Sequence, residues 1–181
     1  MKSEAEYWQA RKDFQYYKIV RQWLDELTSA HALDTILDVG SYSTPVAQWG
    51  RFDERIALDK QEITTPCAGV RYVQADWFDS DETASVLTCL QTIEHLNTIA
   101  EARGFTEKLL RAASVAVIIS VPYMQPHTRE GQHPLDPIGL PKLLSITGGR
   151  RPARLAYAED TDAVSAHTAI RLVGMWKGLR S

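Results

Sequence analysis

ILDVGSYSTPVAQW, residues 36–49, is the stretch on which the reading of this chain turns. Its apolar start ends in Asp38, Val39 and Gly40, the form of a buried strand entering a nucleotide-binding turn. A glycine-rich turn would repeat glycine beyond Gly40, because glycine lets backbone come close to a ligand. Here Tyr42 and Thr44 occupy those positions, with Ser41 and Ser43 between them. Whether the turn holds a cofactor therefore depends on the strands downstream of it.

Downstream lie four short apolar runs: RIALD, VRYVQAD, SVLTCLQ and AVIISVP. Continuous β-branched runs separated by helical or turn-rich pieces predict parallel strands buried on both faces. Ile99, Ala102, Phe105, Leu109 and Leu110 recur at helical spacing, so residues 97–113 are the clearest crossover helix. Residues 62–69 are too short for one, and a loop is expected there. Upstream, Trp8, Phe14, Tyr17, Val20, Trp23, Leu24 and Leu27 predict an amphipathic helix, or two, over residues 4–30. Core packing explains this aromatic stripe better than a substrate lid does.

Residues 121–149 carry Pro122, Pro126, Pro134, Pro137 and Pro141 with His127, His133 and Asp136 among them, which predicts a long ordered loop. A short helix over 141–146 is stopped by Gly148 and Gly149. Residues 152–158 and 168–177 read as an antiparallel hairpin. The expected organisation is one domain over 1–181: a helical cap (1–30), a cofactor-binding core (34–123), a His/Pro-rich loop with a short helix (124–150) and a C-terminal hairpin (151–181).

Composition narrows the function. A hydrophobic share of 44%, a charged share of 24% and a net charge of -3 over 181 residues lack the basic excess that steers toward nucleic acid, so no nucleic-acid partner is expected. The opening residues lack a signal-peptide core, and no apolar run is long enough to span a bilayer; export and membrane insertion are not expected. Cys67 and Cys89 have no CxxC or Cys/His spacing, which suits reduced thiols and a cytoplasmic setting. No metal site is expected either, because His127, His133 and Asp136 lack a tight ligand pattern and no thiolate lies near them in sequence.

In an open parallel sheet, ligands bind beyond the carboxyl ends of the strands. Asp38 and Gly40 end the first strand; Asp59 ends the second, 19 positions beyond Gly40 (59 minus 40), close to the spacing at which an acid meets a ribose diol. Asp76 and Trp77 follow the third, an acid and an aromatic suited to an adenine amino group and ring face. Gln91, Glu94 and His95 follow the fourth. Each acid taken singly reads better as a helix cap or turn residue, and Glu94 and His95 as the solvated start of the 97–113 helix. Acids at successive strand ends of one series favour a nucleoside-type ligand.

This order, LDVG, ALD, QADWF, LTCLQTIEHL and a strand ending in VP, resembles the class I S-adenosylmethionine-dependent methyltransferases over about half the chain. The resemblance implies an α/β, Rossmann-like, doubly wound fold: a seven-stranded, mostly parallel sheet with an antiparallel C-terminal hairpin, here with an N-terminal helical cap. It implies S-adenosylmethionine as cofactor, with Asp38, Gly40 and the turn through Tyr42 near the methionine part, Asp59 on the ribose, Asp76 and Trp77 at the adenine, and Gln91, Glu94 and His95 beside the sulfonium. The chain departs from the family at GSYST, where GxGxG is usual, and at Ser85, where many members have an acid.

Methyl transfer needs positioning first and a base only when the acceptor must lose a proton. His133 is a candidate base with Asp136 orienting it, His95 and His127 compete for the role, and bracing of the loop explains His133 and Asp136 equally well. The expected function is methyl transfer to a small-molecule or glycan-like acceptor. A degenerate, non-catalytic fold serving as a partner-binding or regulatory module is the alternative. A dehydrogenase is disfavoured because GSYST lacks phosphate-cradling glycines.

Overall fold

The structure, a computed structural model, describes residues 4–42, 44–124, 133–161 and 168–180. His127 therefore lies outside the described residues. The N-terminal stripe forms two helices, α1 (Glu4–Gln9) and α2 (Gln15–Ala30). No side chain of its own caps α2. Instead the Gln15 N–H donates to the Asp160 carboxylate, so one of the helix's orphan amides finds its acceptor across the fold.

Seven strands form the rest of the framework: β1 (Thr35–Val39), β2 (Glu54–Asp59), β3 (Arg71–Gln74), β4 (Ala84–Leu90), β5 (Ala113–Pro122), β6 (Arg154–Thr161) and β7 (Thr168–Lys177). They make one sheet in the order β3-β2-β1-β4-β5-β7-β6. All neighbours are parallel except β7, which runs antiparallel to both β5 and β6. Residues 60–70 contain no helix, as the short β2–β3 connection requires. Helices α3 (Ile99–Ala112) and α4 (Leu140–Ile146) complete the chain.

The buried strands alternate their side chains between two cores. Leu37, Leu87, Val117 and Ile119 point to the face covered by α3 and α4 through Phe105, Leu109, Leu143 and Ile146. Ile36, Val86, Ile118 and Val173 point to the other face, where α2 supplies Tyr16, Val20, Trp23 and Leu24. Helix α2 is thus a wall of the core, packed on β6 and β7, and among the described side chains of the aromatic stripe only Tyr17 also reaches the cleft at the sheet's carboxyl edge. Among the described residues, no helix is long and apolar enough to cross a membrane.

The strand order reverses between β1 and β4, which opens a crevice beyond their carboxyl ends. Every strand-end residue singled out from the sequence lies at this edge. Ser85 does not: it sits at the start of β4, where its Oγ accepts from the Asp34 and Thr35 N–H groups at 3.3 and 3.5 Å. Its departure from the usual acid is spent at the far end of the sheet.

Leu24 is fully buried. Leu24→Ala is expected to lower unfolding free energy by about 2–5 kcal/mol in denaturant titration; a loss below about 1 kcal/mol would make α2 a dispensable lid.

Candidate active site

A cavity of about 610 Å³ runs along the carboxyl edge of β1 to β4, a size typical of small-molecule sites. Its floor is the divergent turn. Gly40 has φ +72, and a Cβ there would stand 2.4 Å from Thr92 Oγ1, so glycine is required both by conformation and by the close approach of the β4 end. Tyr42 adopts φ 44 without being glycine. The left-handed conformation costs a non-glycine residue roughly 1–2 kcal/mol. Offsetting it, the Tyr42 N–H donates to Asp59 Oδ2 at 2.8 Å, a charge-assisted bond. The Gly40 and Ser41 N–H groups donate to Leu58 O at 2.8 and 3.2 Å, pinning the turn to the end of β2. The backbone therefore keeps a glycine-like path with one of its glycines.

Asp59 is buried, and its other oxygen accepts the Gln61 N–H at 2.9 Å. Each carboxylate oxygen has a second lone pair, so the group retains acceptor capacity toward the cavity it lines. Asp38 serves differently. Paired in register with Thr88, it accepts from Thr88 Oγ1 at 2.6 Å and more weakly from Thr44 Oγ1 at 3.4 Å. Burial pushes its pKa from an ordinary 3.8 up to about 7, with the hydroxyl bonds opposing and Asp59 adding to the rise.

Asp76 and Trp77 depart from their expected roles in part. Asp76 Oδ1 accepts the Phe78 N–H at 2.9 Å and caps a short 3-10 turn, as a turn residue would, while the residue still lines the cavity. Trp77 is buried, its Nε1 donating to Phe105 O at 3.3 Å, so its indole packs in the core and reaches the cavity only as wall. The exposed aromatic beside it is Phe78, stacked edge-on to Phe105 at 5.6 Å. Sequence spacing cannot tell which of two adjacent aromatics points inward.

At the opposite end, Gln91 has φ 55 and spends its side-chain amide on Ser120 Oγ at 3.1 Å. Two non-glycine residues in left-handed conformation thus flank the cleft, the concentration of strain that functional sites show. Glu94 and His95 lie in a 3-10 turn (Ile93–His95) before α3, whose own cap is Thr98, accepting from Glu101 N–H at 3.1 Å. They do not start the helix. Glu94 is 1% exposed, and its Oε2 has no hydrogen-bond partner among the described residues. Burial raises its pKa to about 8, opposed by its own backbone and by His133.

The loop after β5 brings His133 to this turn. His133 and His95 meet edge to face at 4.7 Å, and His133 Nδ1 pairs with Asp136 Oδ2 at 2.8 Å. The Asp136 hydrogen bond raises the imidazole's pKa, and burial partly opposes it. Ligand atoms of Glu94, His95 and His133 all lie within 4.8 Å of one another. The expectation of no metal pattern weighed only His127, His133 and Asp136; the cluster instead joins His133 to a turn 38 positions upstream (133 minus 95), a proximity that spacing cannot reveal.

No protein-family model matches the sequence, and no curated protein does. Solved structures are similar in fold. N-methyltransferase NodS from Bradyrhizobium japonicum WM9 with S-adenosyl-l-homocysteine superposes at a TM-score of 0.65, with 11% identity over 94% of this chain and 91% of that one. Magnesium protoporphyrin IX methyltransferase from Synechocystis PCC 6803 with bound SAM gives 0.59 at 16% identity, over 90% and 78%. The plantazolicin methyltransferase BpumL with SAH gives 0.62 at 11%, over 97% and 88%. With the observed strand order, these similarities assign the chain the class I methyltransferase fold.

Because the folded pKa of Asp38 lies above its ordinary value, its contribution to stability is present below about pH 4 and is lost as pH rises through 7. Asp38→Asn, which keeps an acceptor for Thr88, is expected to flatten the fall in unfolding free energy between pH 4 and 8 by on the order of 4 kcal/mol. Identical pH slopes for the two proteins would contradict the buried, proton-retaining carboxyl.

Proposed function

We propose that the cavity binds S-adenosylmethionine and that the chain transfers its methyl group to a small-molecule or glycan-like acceptor presented beside Glu94, His95 and His133. The observation that carries this reading is the preserved turn: Tyr42 holds a glycine's conformation, and its N–H is fixed on the buried carboxylate of Asp59. Left-handed backbone in a tyrosine persists only where the surroundings impose it, and here they shape the cavity floor.

In this reading Asp59 takes the ribose hydroxyls, Asp76 the adenine amino group through its uncapped oxygen, and the Gly40–Tyr42 turn the methionine part. Asp38 stiffens the turn through Thr44 and the β4 end through Thr88. The cofactor supplies an activated methyl group, so the protein's work is alignment of an in-line displacement and exclusion of water. His133, oriented by Asp136, and the exposed His95 stand at the acceptor end of the cavity. Gln91, Asn97 and Glu101 line the same cavity and suit a hydroxyl-bearing acceptor. Neighbours of this fold carry names with different acceptors, so the acceptor is argued from this site alone.

Both cysteines are free, which accords with a cytoplasmic setting. The alternative of a non-catalytic module is disfavoured by the maintained strain and by an open, polar-lined cleft, neither of which a binding surface elsewhere on the molecule needs.

Asp59→Ala is expected to weaken S-adenosylhomocysteine binding by on the order of 2 kcal/mol. It is also expected to lower stability, since two backbone N–H groups lose their acceptor. Affinity equal to wild type, measured calorimetrically where circular dichroism shows the variant folded, would remove the ribose assignment.

A further inference from the structure

We propose that Glu94, His95 and His133 form a binding site for one divalent first-row transition metal at the acceptor end of the cavity, with Asp136 positioning His133 from behind. Three independent features converge. The ligand atoms are close, all within 4.8 Å of one another. Ligands about 2.1 Å from a shared ion stand roughly 3–3.5 Å apart, so binding draws the three side chains closer together. Glu94 Oε2 is buried and has no hydrogen-bond partner among the described residues, a costly state for a carboxylate oxygen unless something else occupies its lone pairs. Finally, Asp136 engages His133 Nδ1 at 2.8 Å. That is the carboxylate–histidine pairing that fixes a metal-bound imidazole, and it leaves Nε2 for the ion.

Two nitrogens and one carboxylate oxygen select for manganese, iron, cobalt or zinc over magnesium or calcium, which favour oxygen ligands throughout. Three protein ligands leave coordination positions open, as catalytic sites do and structural ones do not. His95 lines the cavity, so the open positions face it. Arg171 acts electrostatically on this cluster, and its Nε and Nη1 lack partners among the described residues.

The chemistry assigned to the ion rests on the methyl-transfer reading and deepens it. A metal-bound acceptor hydroxyl loses its proton to solvent more readily than a free one. The oxygen's electron pair forms the bond to the methyl carbon, the carbon–sulfur bond breaks, and its pair stays on sulfur, which leaves S-adenosylhomocysteine neutral at that atom. The acceptor class is then an oxygen nucleophile able to displace water from the ion.

The test is titration of the chelator-treated full chain with Co²⁺ and with Mn²⁺, followed by visible absorption and by electron paramagnetic resonance, with S-adenosylhomocysteine affinity measured on the same samples. One equivalent of each metal is expected to bind. Glu94→Gln and His133→Ala should each weaken binding at least tenfold, and Asp136→Asn by about 10–100-fold, while S-adenosylhomocysteine affinity stays within about threefold. If the buried Glu94 variant does not fold, the exposed His95→Gln decides in its place. No binding of either metal, or binding indifferent to these substitutions, overturns the metal site. Metal binding without S-adenosylhomocysteine binding upholds the site and removes the methyl-transfer reading instead.

Discussion

Two backbone N–H groups converge on the Asp59 carboxylate, one from Tyr42 and one from Gln61, and the cavity depends on that convergence. A turn with one glycine where three are usual would ordinarily relax out of the left-handed region. Here the charge-assisted bond to a buried acid, together with the Gly40 and Ser41 bonds to Leu58, outweighs the roughly 1–2 kcal/mol of conformational cost. Asp59 thus anchors the turn, and in the proposed reading it is also the acid that takes the ribose hydroxyls. Losing it removes the floor as well as a contact.

The rest of the sheet makes this possible by dividing its labour. The β1–β4 reversal creates the crevice, Asp38 and Thr88 tie its two walls together, and Gly40 lets them touch at Thr92. Helix α2 seals one face and is itself capped through Asp160 on β6, so the C-terminal hairpin stabilises the N-terminal helix. The acceptor end is built differently. His133 reaches the Glu94–His95 turn from a proline-rich segment, so the cluster proposed to meet the acceptor joins residues far apart in the chain.

That division explains what the sequence could and could not reveal. Strand ends were legible because a buried parallel strand writes itself as a continuous apolar run, and the acid after it is conspicuous: Asp38, Asp59 and Asp76 all lie at the predicted edge. The α3 crossover and the β6–β7 hairpin were legible from period and turn composition, with the ends of α3 and β6 shifted by one to three residues and those of β7 not at all. Side-chain direction was not. Trp77 and Phe78 differ by one position, and that position decides which ring is buried. The Tyr42 conformation was hidden because its cause is a carboxylate 17 residues away. The Glu94, His95 and His133 cluster was hidden because a loop, which has no period, makes the contact. Burial of Glu94 overturned the reading of that residue as the solvated start of a helix.

The most direct measurement is calorimetric titration of the purified protein with S-adenosylmethionine and S-adenosylhomocysteine, with NADH as control. Saturable binding of both sulfur ligands in the micromolar range, near one equivalent, and no heat from NADH is the predicted result. Absence of binding by either sulfur ligand to folded protein would contradict the account, because the strained turn would then be maintained for some other occupant.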